Sequence, residues 1–248
     1  MKKKLDDYIS NLKAHFNLQS TIKSTCFLFG SSVTGFWAPS RSDLDVVFII
    51  KNKSLLEDFD KLIGDWKTKN HEILLDGYIV YEDDSKLYSK SLLNEKHNLF
   101  PKSLPTPEQW SLKYQSKKIF GEFSLTDILP EVSRENLIDW AKANKQQYWI
   151  PYIGKIIRKV KKMPADKYLP IDPAIWIASG AARIKSLELT GKCLSKQNAL
   201  KWLVRQGGDD SRLIQKLLDN HKYNDEEAEK LKPDDVINIA NISLNLLS

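Results

Sequence analysis

The residues best suited to chemistry lie in one stretch, Cys26 to Ile50, CFLFGSSVTGFWAPSRSDLDVVFII. Asp43 and Asp45 stand two positions apart at the entrance of an apolar run, Val46-Val47-Phe48-Ile49-Ile50. On a strand, side chains at i and i+2 leave the same face about 7 Å apart. Carboxylates held that close repel one another unless a cation sits between them, and hard oxygen donors suit Mg²⁺. Upstream, a second apolar run, Cys26-Phe27-Leu28-Phe29, breaks at once into Gly30-Ser31-Ser32. Gly30 permits close backbone approach, and Ser31 offers a hydroxyl to a phosphate oxygen. Two strands meeting at a Gly-Ser turn and a pair of acids point to a metal-dependent phosphate site.

Simpler explanations fail on residue types. Gly30 to Gly35 has the G-x-x-x-x-G spacing of a phosphate-cradling loop, but Phe36-Trp37 stands where Lys-Ser/Thr is required. The G-x-S-x-G of a nucleophile elbow is absent. A plain turn with two surface aspartates explains either half alone, but not both halves in this order with strands on each side.

A third acid stands in the segment His71 to Tyr81, HEILLDGYIVY, which reads as the next strand. Asp76 interrupts its apolar residues, and a carboxylate buried there without a partner costs several kcal/mol, on the order of 3–5. A metal shared with Asp43 and Asp45 supplies such a partner; an edge strand that turns Asp76 to water is the alternative. Glu72 is the rival acid, at the polar entrance of the same strand.

Gly30-Ser31, followed by Ser42-Asp43-Leu44-Asp45 before an apolar strand, resembles the signature of the nucleotidyltransferase superfamily related to DNA polymerase beta. The resemblance implies a short mixed sheet flanked by helices. It implies a Gly-Ser turn, with Ser42 nearby, that holds the triphosphate tail. Asp43 and Asp45 would hold two Mg²⁺ ions, and the third acid, assigned to Asp76, would be a further ligand and the general base.

Further on, Thr190-Gly191-Lys192, Ser195-Lys196 and Ala199-x-x-Trp202 are similar to the helical domain of the streptomycin/spectinomycin adenylyltransferases. That likeness places Arg183 and Lys196 at nucleotide phosphates, Tyr223 near the nucleotide, and Asp172 near the acceptor, so nucleotide binding is expected to draw on both halves of the chain. Departures are a loop one residue longer between Gly35 and Ser42, and no match in 82–105 to the aromatic-rich segment of the family. ATP is the implied donor, and a hydroxyl of an aminoglycoside or aminocyclitol the implied acceptor. An antitoxin-type enzyme acting on protein or tRNA is one alternative, and a non-catalytic nucleotide-binding regulator another. A D-x-D sugar transferase leaves the Gly-Ser turn unexplained.

The elements that must position these residues follow from periodicity. Leu5, Tyr8, Ile9, Leu12 and Phe16 recur at helical spacing. After the second strand, Ser54 is placed to cap a helix carrying Leu55, Leu56, Phe59, Leu62, Ile63 and Trp66. Residues 82–105 read as irregular, Pro107 opens a short helix, and Lys118 to Gly121 a last small strand. Thr126 to Arg134 reads as a boundary, giving domains 1–128 and 129–248. Beyond it the chain reads as helices only: a long one from Asn136 broken near Pro151, a central one from Ile175 to Leu189, then one capped by Ser195, and two more around Leu213 to Leu218 and Val236 to Leu247. The fold class is α+β, a nucleotidyltransferase domain followed by a helical bundle.

Composition agrees. The 248 residues are 42% hydrophobic and 28% charged, as in a soluble globular protein. The two cysteines make no disulfide framework, and His15, His71, His97 and His221 are scattered without zinc spacing. Basic Met1-Lys2-Lys3-Lys4 leads into Leu5-Asp6-Asp7-Tyr8, not the apolar stretch of a signal peptide. No run approaches about 18 apolar residues. A cytoplasmic monomer is expected, with no membrane or nucleic-acid partner. The net charge of +6 suits a polyphosphate substrate. Its excess gathers at Lys155, Arg158, Lys159, Lys161, Lys162 and Lys167, which reads as a solvated helix end.

Overall fold

The computed structural model of the protein describes residues 2–18, 22–34, 37, 42–94, 96–206, 211–222 and 230–248. The chain divides into two compact units, Met1–Val132 and Ser133–Ser248.

Alternating apolar residues in the first unit build a sheet of β1 (Ser24–Leu28), β2 (Leu44–Asn52), β3 (Leu75–Asp83), β4 (Lys86–Ser91), β5 (His97–Leu99) and β6 (Lys117–Phe120). Their order is β5-β4-β3-β2-β1-β6. β2 and β3 run parallel, joined by the crossover helix α3 (Leu56–Lys69), and the other pairs are antiparallel. The two-residue pleat sorts the side chains. Leu44, Val46, Phe48, Leu75 and Ile79 face α1 (Lys2–Leu18) and α3, packing with Leu12, Phe16, Phe59, Ile63 and Trp66. Phe27, Phe29, Val47, Ile49 and Val80 take the other face, under Leu112 of α4 (Thr106–Tyr114) and Leu125 of α5 (Leu125–Ile128). By that alternation Asp45 and Asp76 share this second face.

Three local expectations are corrected. β3 begins at Leu75, because Ile73 is tied into a turn by its amide bond to the Asn70 carbonyl (3.1 Å). Ser54 does not cap α3; it sits in a 3₁₀ turn, Lys53–Leu55, with its hydroxyl on Asn52 Oδ1 (2.7 Å). Residues 82–105 are not irregular throughout, since β4 and β5 extend the sheet. The β3–β4 hairpin turns on Asp84 and Ser85, at φ +48° and +59°, the paired left-handed geometry that suits a two-residue turn. Tyr81 then stacks on Tyr88 across the strands, and its hydroxyl meets His97 Nδ1 at 2.7 Å.

The second unit holds α6 (Arg134–Asn144), α7 (Ile150–Val160), α8 (Asp172–Thr190), α9 (Lys196–Gln206), α10 (Ser211–Lys222) and α11 (Pro233–Leu247). A two-residue ladder of β7 (Leu169–Pro170) and β8 (Lys230–Leu231) adds strand to what the sequence marks as purely helical. The long helix is not broken at Pro151. A π-helical stretch, Lys145–Trp149, links α6 to α7 and puts Pro151 in the first turn of α7, where its missing N–H matters least. The central α8 is lined by Ala174, Ala178, Ala181 and Ala182, all buried. It ends at Gly191, φ +65°, whose amide returns to the Leu187 carbonyl (2.8 Å). Ser195 accepts from the Asn198 amide (3.2 Å) at the head of α9, as its cap position predicts.

Candidate active site

Parallel pairing of β2 and β3 sets Asp45 directly opposite Asp76. Asp43 lies two residues before Asp45, next to Ser42, and all four side chains are half-buried. The Phe29 amide bonds to the Asp45 carbonyl at 3.1 Å, which brings the end of β1 alongside. Gly30 follows with φ +62°, and an added Cβ there would stand 2.2 Å from Asp45 Oδ2. The Asp45 carboxylate therefore lies against the bare glycine. Ser31 opens a single helical turn, α2 (Ser31–Thr34), and Thr34 Oγ1 donates back to the Gly30 carbonyl at 3.1 Å. Ser32 Oγ is buried with no hydrogen-bond partner among the described residues.

A second glycine keeps the strands close. Gly77 has φ +125°, and a Cβ there would lie 1.9 Å from the Val46 carbonyl oxygen. Its amide donates to Asp76 Oδ1 at 2.6 Å. Asp76 is thus neither stranded in apolar surroundings nor at the sheet edge. The rival acid Glu72 has a structural partner instead, the hydroxyl of Tyr8. Burial, reinforced by Glu72, holds the Tyr8 phenol up at about 12.

Two residues that the sequence does not single out adjoin the aspartates. Tyr78, one pleat beyond Asp76, lies near Glu108 of α4. Burial, then the nearby Glu108, then Asp76 and Asp45, push the phenol far above its usual range. Glu108 is itself raised, mainly by burial and further by Asp76, against the opposing effect of Tyr78. A glutamate in the first turn of a helix offers no signal of this, because it matches the helix dipole anyway.

As a donor set, Asp43, Asp45 and Asp76 are hard oxygens suited to Mg²⁺, and the register that places two of them opposite each other fits the ion. Among the described residues no three acids, histidines or cysteines stand together at metal-holding distance, and Asp76 Oδ1 accepts from the neighbouring Gly77 amide.

The second unit carries the other expected site residues. Arg183 is exposed on α8, near Cys193, whose thiol burial pushes up to about 11 in spite of the Arg183 charge. Lys196 is exposed at the start of α9, its Nζ 5.4 Å from the centre of the Trp176 ring. Asp172 is the exposed first residue of α8. Tyr223 lies outside the described residues.

Residues 9–97, which contain the turn and all three aspartates, match the model of a nucleotidyltransferase domain. The chain thus carries a nucleotidyltransferase domain, the catalytic module of a transferase. Over its whole length it is similar to a solved structure, spectinomycin adenyltransferase AAD(9) from Enterococcus faecialis with ATP and spectinomycin. The alignment covers 97% of this chain and 98% of that one, with a TM-score of 0.61 and 16% identity. At that identity the likeness is one of fold, and it bears out the resemblance to the adenylyltransferases at that level. No curated protein matches the chain in sequence.

Proposed function

We infer that the protein is a Mg²⁺-dependent adenylyltransferase that moves AMP from ATP to a hydroxyl of an aminoglycoside or aminocyclitol, with pyrophosphate leaving. The observation that carries this reading is the Asp45–Asp76 pairing beside the Gly30 turn, within the segment that matches the nucleotidyltransferase model. The acceptor class rests on the fold shared with AAD(9).

Asp43, Asp45 and Asp76 would hold two Mg²⁺ ions, which when bound neutralise the triphosphate and lower the pKa of the acceptor hydroxyl. Asp76 would accept the proton of the acceptor hydroxyl, as a carboxylate placed within hydrogen-bond reach can. Gly30 lets the triphosphate tail approach the backbone, where a side chain would collide with Asp45. Ser31 and Ser42 donate to its oxygens. By the resemblance to the adenylyltransferases, Arg183 and Lys196 are assigned charge-assisted bonds to the phosphates, Tyr223 is assigned to the nucleotide, and Asp172 to the acceptor. The protein acts as a cytoplasmic monomer in this reading; no described helix is long and apolar enough to cross a membrane.

The test is a pyrophosphate-release screen of each nucleoside triphosphate, with Mg²⁺, against a panel of aminoglycosides and aminocyclitols. Release that needs ATP, Mg²⁺ and one of these acceptors supports the reading. Release with no acceptor dependence, or none at all, overturns it.

A further inference from the structure

On α8 a surface indole is held from behind. Trp176 is 37% exposed, and its ring rests on the buried Trp149, with centres 5.6 Å apart and planes 38° from parallel. Trp149 closes the π-helical stretch Lys145–Trp149, and Lys145 Nζ ties that stretch to the Glu188 carboxylate of α8 at 2.9 and 3.1 Å. Gly180, one helical turn beyond Trp176, makes the room for Trp149. A Cβ there would stand 1.9 Å from Trp149 Cη2, so the backing indole needs the glycine. Glycine inside a helix is destabilising relative to alanine, and π-helical turns recur at functional sites.

Over the Trp176 ring lies a cation. Lys196 opens α9, which packs with α8 in one core through Ala178, Ala182, Ala199 and Leu200. Its Nζ stands 5.4 Å from the ring centre, inside the reach of about 6 Å for a cation–π contact. Among the described residues no acid is paired with Lys196. An aromatic face holds an ammonium without neutralising it and without taking its N–H donors, whereas a carboxylate does both.

We propose that Trp176, backed by Trp149, is a positioning residue that holds the Lys196 ammonium for the phosphates of the nucleotide. The ring restrains a long flexible side chain before the nucleotide arrives. It leaves the charge and the three N–H donors for phosphate oxygens. This deepens the adenylyltransferase reading and rests on its assignment of Lys196 to the phosphates.

Calorimetry of MgATP binding to the full chain tests it. Trp176→Leu should weaken binding by about two- to fivefold, the effect of removing one exposed cation–π contact, about 0.5–1 kcal/mol. Trp176→Phe keeps a ring and should recover much of that loss. In a Lys196→Ala background, Trp176→Leu should change the affinity by no more than about 1.5-fold, because the cation on which the ring acts is gone. A purely structural role for the indole would show the same loss in both backgrounds. Trp176→Met fills the space without a ring and carries the same test if Trp176→Leu fails to fold. Unchanged or tighter MgATP binding in Trp176→Leu overturns the inference. So does a Trp176→Phe variant as impaired as Trp176→Leu, or an equal loss with and without Lys196. If Lys196→Ala alone binds MgATP as the wild type does, or the wild type binds none, the underlying reading falls and takes this inference with it. That outcome is separate from a Lys196 that matters beside an indifferent Trp176.

Discussion

Gly30→Ala should separate activity from stability. The backbone at Gly30 has φ +62°, and a left-handed conformation costs a residue with a Cβ about 1–2 kcal/mol. For a chain of this size that lowers the melting temperature by about 2–8 °C. The new methyl would lie 2.2 Å from Asp45 Oδ2, 2.9 Å from its Cγ and 3.3 Å from its Cβ, where ordinary contact begins at 3.4 Å. The carboxylate is the movable party, so it must retreat by about 1 Å, enough in a catalytic centre to lose about 10²-fold in rate. Circular dichroism melts and pyrophosphate release on the same preparation read the two effects. A folded variant with the modest melting shift and about a hundredfold less turnover is expected. Near-wild-type turnover would show that the Asp45 carboxylate need not stay against the turn, and the metal-ligand role proposed for it would be wrong.

Lys196→Ala should weaken ATP binding by about ten- to a hundredfold, the effect of losing one charge-assisted bond of about 1.5–3 kcal/mol. The melting temperature should barely move, since the side chain is exposed and its described contact is the ring of Trp176; wild-type affinity by calorimetry would remove Lys196 from the nucleotide site. Glu108→Gln should raise the melting temperature near about pH 8, with the gain fading as the pH falls to about 4, the ordinary range of a glutamate. The sign follows from burial, which lifts Glu108 in the folded state: the folded chain then binds the proton more tightly than the unfolded one, and stability declines as pH rises through that interval. A gain that persists or grows in acid would contradict it. Gly77→Ala should cost far more than Gly30→Ala, because the atom in its way is the backbone oxygen of Val46 at 1.9 Å; loss of soluble protein or a deep fall in melting temperature is expected, and a mild shift would mean that β2 and β3 can part.

Much of this was legible in the sequence because strand periodicity is rigid. Apolar alternation fixes which face of β2 and β3 each residue takes, and it brings Asp45 opposite Asp76, whereas Asp43 lies just before β2. The helical half was legible through its punctuation: Gly191 and Ser195 end and begin helices where their residue types require. The hairpin of β3 and β4 was hidden because Asp84-Ser85 adopts a left-handed pair of conformations without glycine. Pro151 misled because a proline rule assumes an ordinary helix, whereas here a π-helical stretch precedes it. Tyr78 and Glu108 could not be paired from sequence. A tyrosine in a strand reads as core, a glutamate in a first helical turn reads as surface, and only the packing of α4 on the sheet joins them.

The central claim, nucleotidyl transfer dependent on the paired aspartates of β2 and β3, is tested most directly by mass spectrometry of the acceptor. Wild-type protein and Asp76→Asn would be incubated with ATP, Mg²⁺ and each member of the aminoglycoside and aminocyclitol panel. The wild type should convert one acceptor to its adenylylated form, while Asp76→Asn should yield none although calorimetry still detects MgATP binding. No adduct from the wild type with any panel member, or an equal yield from Asp76→Asn, would contradict it.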